Sequence, residues 1–306
     1  MRPVLEIGGT HVTAALVDLS AGAVHGRPAR EPLSPQGGAG EILGRLARAA
    51  SRLAVPPSAT WGVAVPGPFD YAAGVALFEG VGKFDSLYGT DVGVALRARI
   101  RPAPAALRFV NDADAFGIGE HTGGAAAGHA RAVCLTLGSG VGSAFLADGT
   151  PVNDGPRVPP EGSAHRLVVD GRPLEDTVSR RAIRAAYARA TDGDPDDVPD
   201  VRGIAARARA GDIPAGTVLT HAFRALGTAM APWTTRFGAD VLVVGGSISA
   251  SWDLVVAPLR EGLSDGGAPG LRVEPARLPD TASLLGAAQW AAAPASGEEN
   301  SRGLRL

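Results

Sequence analysis

The sequence predicts an α/β protein built as two lobes, on three observations. At 306 residues the chain is long for one compact core. Short apolar runs of strand character stop at glycine-rich turns. Between them lie stretches whose apolar residues recur at helical spacing. Hydrophobic residues make up 45% of the chain, enough for buried sheets in both lobes.

Residues 3–8 read as a first strand and 11–18 (HVTAALVD) as a second, joined by the turn Gly8-Gly9-Thr10. A further strand is expected around Ala23-Val24-His25. Gly40–Leu53 (GEILGRLARAASRL) carries apolar residues at helical spacing and arginines on the other face. Thr60–Val65 is a short strand stopping at Pro66-Gly67-Pro68, and Leu107–Val110 another, stopping at Asn111-Asp112, where a helix begins. The second half repeats this grammar. Val133–Leu137 runs into Gly138-Ser139-Gly140-Val141-Gly142, and Ser143–Ala147 resumes as a strand. Thr177–Ala190, Thr217–Phe237 and Ala282–Ala293 read as helices, and Asp240–Val244 as a buried strand ending in Gly245-Gly246-Ser247. Domain boundaries are expected at 1–110 and 111–281, with the helix 282–293 returning to the first lobe and 294–306 a disordered tail.

A formal net charge of −2 gives no electrostatic reason to expect nucleic acid or an anionic membrane as partner. Arginine supplies nearly all the basic charge, Lys83 being the only lysine. The single cysteine, Cys134, rules out an intrachain disulfide and a cysteine-built zinc site, and its apolar run makes it a buried small hydrophobe. Neither a signal peptide nor a membrane-spanning apolar window is evident, so a soluble cytoplasmic protein is expected.

Three strands thus end in glycine turns that each hold a small hydroxyl residue: Gly8-Gly9-Thr10, Gly138-Ser139-Gly140 and Gly245-Gly246-Ser247. Turns without Cβ atoms let backbone N–H groups approach phosphate oxygens, and ligands of α/β proteins collect at strand ends. No glycine loop ends in Lys-Ser or Lys-Thr, so there is no P-loop, and no Gly-x-Gly-x-x-Gly opens a helix after the first strand. What remains is a nucleotide phosphate site shared between two lobes.

The ordered set Glu6-Ile7-Gly8-Gly9-Thr10, Val65-Pro66-Gly67-Pro68, Asn111-Asp112-Ala113-Asp114-Ala115, Leu135–Gly142 and Val243–Ser247 resembles the ROK sugar kinases (repressors, open reading frames, kinases) over residues 4–293. The resemblance implies the two-lobed actin-like, hexokinase-like (ribonuclease H-like) ATPase fold. It also implies an ATP- and Mg2+-dependent transfer of phosphate to the 6-hydroxyl of a hexose or amino-hexose, such as glucose or a kanosamine-like sugar, and a homodimer. By resemblance Asp112 is the general base and Asn111 a sugar ligand, with Gly67 beside it; capping of the following helix is the competing role of Asn111-Asp112. Gly8, Gly9 and Thr10 approach the phosphates from the first lobe, and Gly138, Ser139 and Gly140 from the second. Gly245 and Gly246 form the adenosine-side turn. Glu6, standing where the family has aspartate, holds Mg2+ through water.

The chain departs from the family in its sugar region. Glu161-Gly162-Ser163-Ala164-His165 places Glu161 one residue too far from His165 to match Glu-x-Gly-His, and the zinc cysteines are missing, so no structural zinc is expected. His165, Glu161 and Glu175 are carried over as sugar contacts. Lys83 reads as a solvated lysine, and Asp192–Asp197 as an acidic turn, since Asp197 and Gly203 stand where a calcium loop needs its glycine and terminal glutamate. A ROK repressor needs an N-terminal helix-turn-helix, for which a lobe starting at residue 3 leaves no room. A silent sugar-binding sensor is the alternative to the kinase.

Overall fold

The computed structural model describes residues 1–194 and 197–294. Most of the 294–306 tail, and two residues of the acidic turn at 192–197, fall outside them. The chain divides into two compact units: residues 1–115 with those from 283 onward, and residues 116–282.

The first unit begins with β1 (Arg2–Ile7), β2 (His11–Asp18) and β3 (Ala23–Pro32), an antiparallel meander. The expected strand at Ala23 therefore runs seven residues beyond His25. Pro28 and Pro32 hid it, and they are tolerated because β3 lies at the sheet edge, where a missing N–H breaks no inner ladder. Helix α1 (Ala39–Ala50) buries Ile42, Leu43 and Leu46 and leaves its arginines outside. Two of them, Arg45 and Arg48, together with Arg52 just beyond the helix, surround the buried Glu31 carboxylate. Next come β4 (Thr60–Val65), the small hairpin β5 (Phe69–Asp70) with β6 (Val75–Ala76), α2 (Val92–Arg99) and β7 (Ala106–Asn111). The sheet order is β3-β2-β1-β4-β7, with β1, β4 and β7 parallel. Their carboxyl ends consequently share one edge. Helix α3 (Asp112–Gly123) follows β7 without a connecting loop and contains the boundary between the units.

The second unit repeats this pattern. Its sheet holds β8 (Arg131–Leu137), β9 (Val141–Ala147), β10 (Thr150–Pro151) and, after the short pair β11 (Val168–Val169) and β12 (Arg172–Pro173), β13 (Val241–Gly245) and β14 (Arg272–Pro275). The order is β10-β9-β8-β13-β14, with β8, β13 and β14 parallel. Cys134 is buried in β8, and burial pushes its thiol pKa up. The helix expected over Thr177–Ala190 is two: α4 (Glu175–Val178) and α5 (Arg180–Ala190). Ser179 breaks it by turning extended and accepting the Ala182 N–H on its hydroxyl, a capping role that apolar spacing does not reveal. Then come α6 (Val201–Arg209) and α7 (Ile213–Phe237). Helix α7 starts a turn earlier than its spacing suggested, because Asp212 caps it at Ala215 N and Pro214 sits where no N–H is needed. Helix α8 (Trp252–Asp265) packs along it.

Helix α9 (Ala282–Ala292) joins the first unit from Ser283 onward. It lies so close to β4 that a Cβ on Gly62 would stand 2.1 Å from the Ala287 carbonyl oxygen. Trp290 Nε1 donates to the Phe109 carbonyl of β7 at 2.8 Å. Among the described residues no helix is long and apolar enough to cross a membrane.

Candidate functional site

In the first unit, the sequence-predicted residues gather on the edge formed by the carboxyl ends of β1, β4 and β7. Glu6 pairs with Ala64, and Val65, the residue before Pro66-Gly67, pairs with Asn111. Gly8 N donates to the His11 carbonyl at 2.9 Å and closes the β1–β2 hairpin. Gly9 and Thr10 at its tip are exposed, and a Cβ on Gly9 would meet nothing within 4 Å.

His11, next to this tip, was not singled out from the sequence. Its Nε2 lies 2.6 Å from Arg30 Nη2, and its Nδ1 lies 3.2 Å from Thr10 Oγ1. A guanidinium only donates, so Nε2 must accept. Burial first, and then the Arg30 charge, lower the His11 pKa, the direction that favours the neutral ring. The ring proton therefore sits on Nδ1 and is donated to Thr10 Oγ1, which leaves the threonine's own proton free to point elsewhere.

Asn111 and Asp112 stand where β7 becomes α3. Asn111 Oδ1 accepts the N–H groups of Ala113 (2.9 Å) and Asp114 (3.3 Å), so Asn111 does cap the helix. Its Nδ2 donates to the Tyr71 hydroxyl at 2.8 Å, and that hydroxyl donates onward to the Val65 carbonyl at 3.4 Å. Tyr71 was missed because it lies 40 residues from Asn111; burial raises its pKa. A side chain at Gly67 would meet that hydroxyl at 3.4 Å, so the bare glycine keeps the pair's space open. The cap thus uses Asn111 but does not exhaust Asp112. The Asp112 carboxylate takes one N–H, from Ala113 at 3.0 Å. Enough protein surrounds it that desolvation, the largest influence, pushes its pKa up, while the Lys83 charge pulls in the other direction. The solvated lysine of the sequence reading is in fact half-buried and acts on Asp112. Its loop is presented by left-handed backbone at Gly80, Gly82 and Phe84, and tied to residues 35–37 through Phe84 N to Pro35 O (2.6 Å) and Gln36 Nε2 to Gly82 O (3.2 Å).

In the second unit, two glycine turns lie side by side at the ends of parallel strands, since Gly245 pairs with Thr136. Gly138 N donates to the Gly140 carbonyl at 3.0 Å, fixing the turn that carries Ser139. Gly246, at φ +83°, crosses the end of β8 so closely that a Cβ there would lie 2.4 Å from the Leu137 carbonyl oxygen. Glu175 adjoins this turn: its Oε2 accepts the Val141 N–H at 3.0 Å. Arg180 closes the group. Its backbone N–H donates to the Gly138 carbonyl at 2.8 Å, and its Nη2 to Ser247 Oγ at 3.2 Å.

Glu161 and His165 lie on a separate loop. Glu161 has left-handed backbone (φ 58°), and its exposed carboxylate pairs with Arg166 at 3.4 Å. The loop carrying both hangs on β9, where Ser143 Oγ donates to the Gly162 carbonyl (2.6 Å) and accepts the Ala164 N–H (2.8 Å).

The model of the ROK family matches residues 4–293. A glucokinase from Thermotoga maritima is 26% identical over 309 residues, covering 93% of this chain and 95% of its own. The crystal structure of a ROK family glucokinase from Streptomyces griseus in complex with glucose and AMPPNP is similar with a TM-score of 0.75, at 24% identity over 94% of this chain and 98% of that one. A ROK family transcriptional regulator, homologous to the MLC protein of E. coli, gives a TM-score of 0.77 at 21% identity, covering 95% of this chain and 77% of that one. The fold is therefore the actin-like, hexokinase-like α/β fold expected from the sequence.

Proposed function

The chain belongs to the ROK family, and from that premise we propose that it is a sugar kinase, transferring the terminal phosphoryl group of ATP to the 6-hydroxyl of a hexose or amino-hexose. The observation that carries this is the Asp112 carboxylate at the end of β7, desolvated, with a raised pKa and not consumed by the capping that Asn111 performs. A general base works best with a pKa shifted toward the working pH, and this is the direction in which burial moves Asp112. Phosphoryl transfer otherwise needs mainly positioning and charge neutralisation.

Each unit supplies its own share. In the first, Asp112 takes the acceptor hydroxyl's proton, the Asn111–Tyr71 pair offers fixed polar groups to the sugar, and Gly9 and Thr10, on the turn that Gly8 closes, offer N–H groups and a hydroxyl to phosphate oxygens. In the second, Gly138–Gly140 and Gly245–Gly246 receive the nucleotide. Glu6 suits Mg2+, which takes one or two carboxylates and fills its octahedron with phosphate oxygens and water. Among the described residues no three His, Cys, Asp or Glu gather into a group that could hold a metal by themselves. When bound, Mg2+ neutralises phosphate charge.

The test is Mg-ATP-dependent ADP release over a panel of glucose, mannose, N-acetyl sugars and free amino-glucoses, with Asp112→Asn as control. Sugar binding with no Asp112-dependent release from any of them overturns the kinase and leaves the sensor, a reading favoured by the likeness to a regulator and by the Glu161–Arg166 pair in the sugar motif. A second measurement probes Lys83. Its charge lowers the Asp112 pKa, so Lys83→Met removes the largest influence opposing burial and the pKa rises further. The base must be ionised, so activity falls as pH drops through that pKa, and the acid limb of kcat/KM moves to higher pH in Lys83→Met. An unmoved limb would disconnect Lys83 from the base.

A further inference from the structure

Arg180 occupies a position that ordinary helix electrostatics disfavours. It is the first residue of α5, where the helix dipole presents positive charge and a guanidinium is repelled. Its neighbour Arg181, in the same turn, is matched by Asp176 at 2.7 Å. Among the described residues no carboxylate pairs with Arg180, and its side chain is exposed.

The residue is nevertheless fixed. Its N–H holds the Gly138 carbonyl of one glycine turn at 2.8 Å, and its Nη2 reaches Ser247 of the other at 3.2 Å. The residue thus bridges the two turns, by its backbone on one side and its side chain on the other, and the guanidinium spends one of five N–H donors in doing so. Glu175 holds the hairpin of the first turn through the Val141 N–H. At Arg180 an unpaired planar cation, a helix N-terminus and the two glycine turns come together. We infer that Arg180 grips phosphate oxygens of the nucleotide donor, its fork spanning two oxygens as an ammonium cannot. The inference rests on the kinase reading and adds to it a residue that fixes the donor as a nucleoside di- or triphosphate.

The test compares ADP with adenosine by titration calorimetry on the full chain, in wild type, R180A and R180K. R180A is expected to lose about ten- to hundredfold in ADP affinity, the usual range for a charged hydrogen bond, while adenosine binds as before. R180K falls between, since it keeps the charge and loses the fork. The backbone N–H to Gly138 survives both substitutions, so melting temperatures stay at the wild-type value. Equal ADP affinity in wild type and R180A overturns the inference and leaves the kinase standing. Equal losses for ADP and adenosine also overturn it, revealing a collapsed turn. A wild type that binds neither ligand sinks the kinase reading and the inference with it.

Discussion

Asp112→Asn is expected to slow phosphoryl transfer by about 10²–10⁴-fold, the usual worth of a positioned base, while sugar binding persists. It is also expected to raise the melting temperature. Burial holds the Asp112 pKa above its unfolded value, so at pH values above that unfolded pKa the carboxyl costs the folded state stability. A neutral amide of the same shape removes that penalty and still accepts the Ala113 N–H. Were Asp112 only part of a helix start, the substitution would leave turnover intact and bring no gain in stability. Activity assays and thermal melts on one preparation separate the two outcomes.

Two glycines are expected to answer alanine in opposite ways. Gly246→Ala forces a Cβ to 2.4 Å from the Leu137 carbonyl at a φ of +83° and a ψ of 173°, a region left almost entirely to glycine. Strain and overpacking together are expected to cost about 3 kcal/mol, which lowers the melting temperature by about 6–12 °C in a unit of this size. Gly9→Ala places its methyl in open space, so the melt is expected to stay put. In the proposed phosphate site that same methyl would stand where a phosphate comes close, so the KM for ATP is expected to rise instead. A Gly9→Ala protein with unchanged KM removes the first hairpin from the phosphate site.

Much of this was legible because it is written in consecutive letters. An apolar run followed by Gly-Gly-Thr or Gly-Ser-Gly specifies strand and turn together, and Asn111-Asp112 announces a strand giving way to a helix. The misreadings arose where distant contacts decide. The Thr177–Ala190 pattern is helical throughout, and only the Ser179 hydroxyl, folded onto Ala182 N, divides it. Tyr71 meets Asn111 across 40 residues, and no local spacing encodes that. Glu175, assigned to the sugar by resemblance, accepts the Val141 N–H beside the Gly138–Gly140 turn, a contact the resemblance did not announce. Arg180 left one clue that a charge map could have caught, a cation at a helix N-terminus. Lys83 looked like surface because its loop is polar, and three left-handed residues turn it inward.

The first unit is assembled from both ends of the chain, with α9 laid on the bare backbone of Gly62. On the ribosome that order matters, because the polypeptide emerges N-terminus first. The second unit is one unbroken segment and can fold as soon as it is clear of the exit tunnel. The first, although synthesised earlier, must wait with one face of β4 uncovered until the last helix appears. The half of the molecule that carries Asp112 is thus the last to be completed. A nascent chain released before Ser283 would present that uncovered strand to chaperones, while its second unit was already whole.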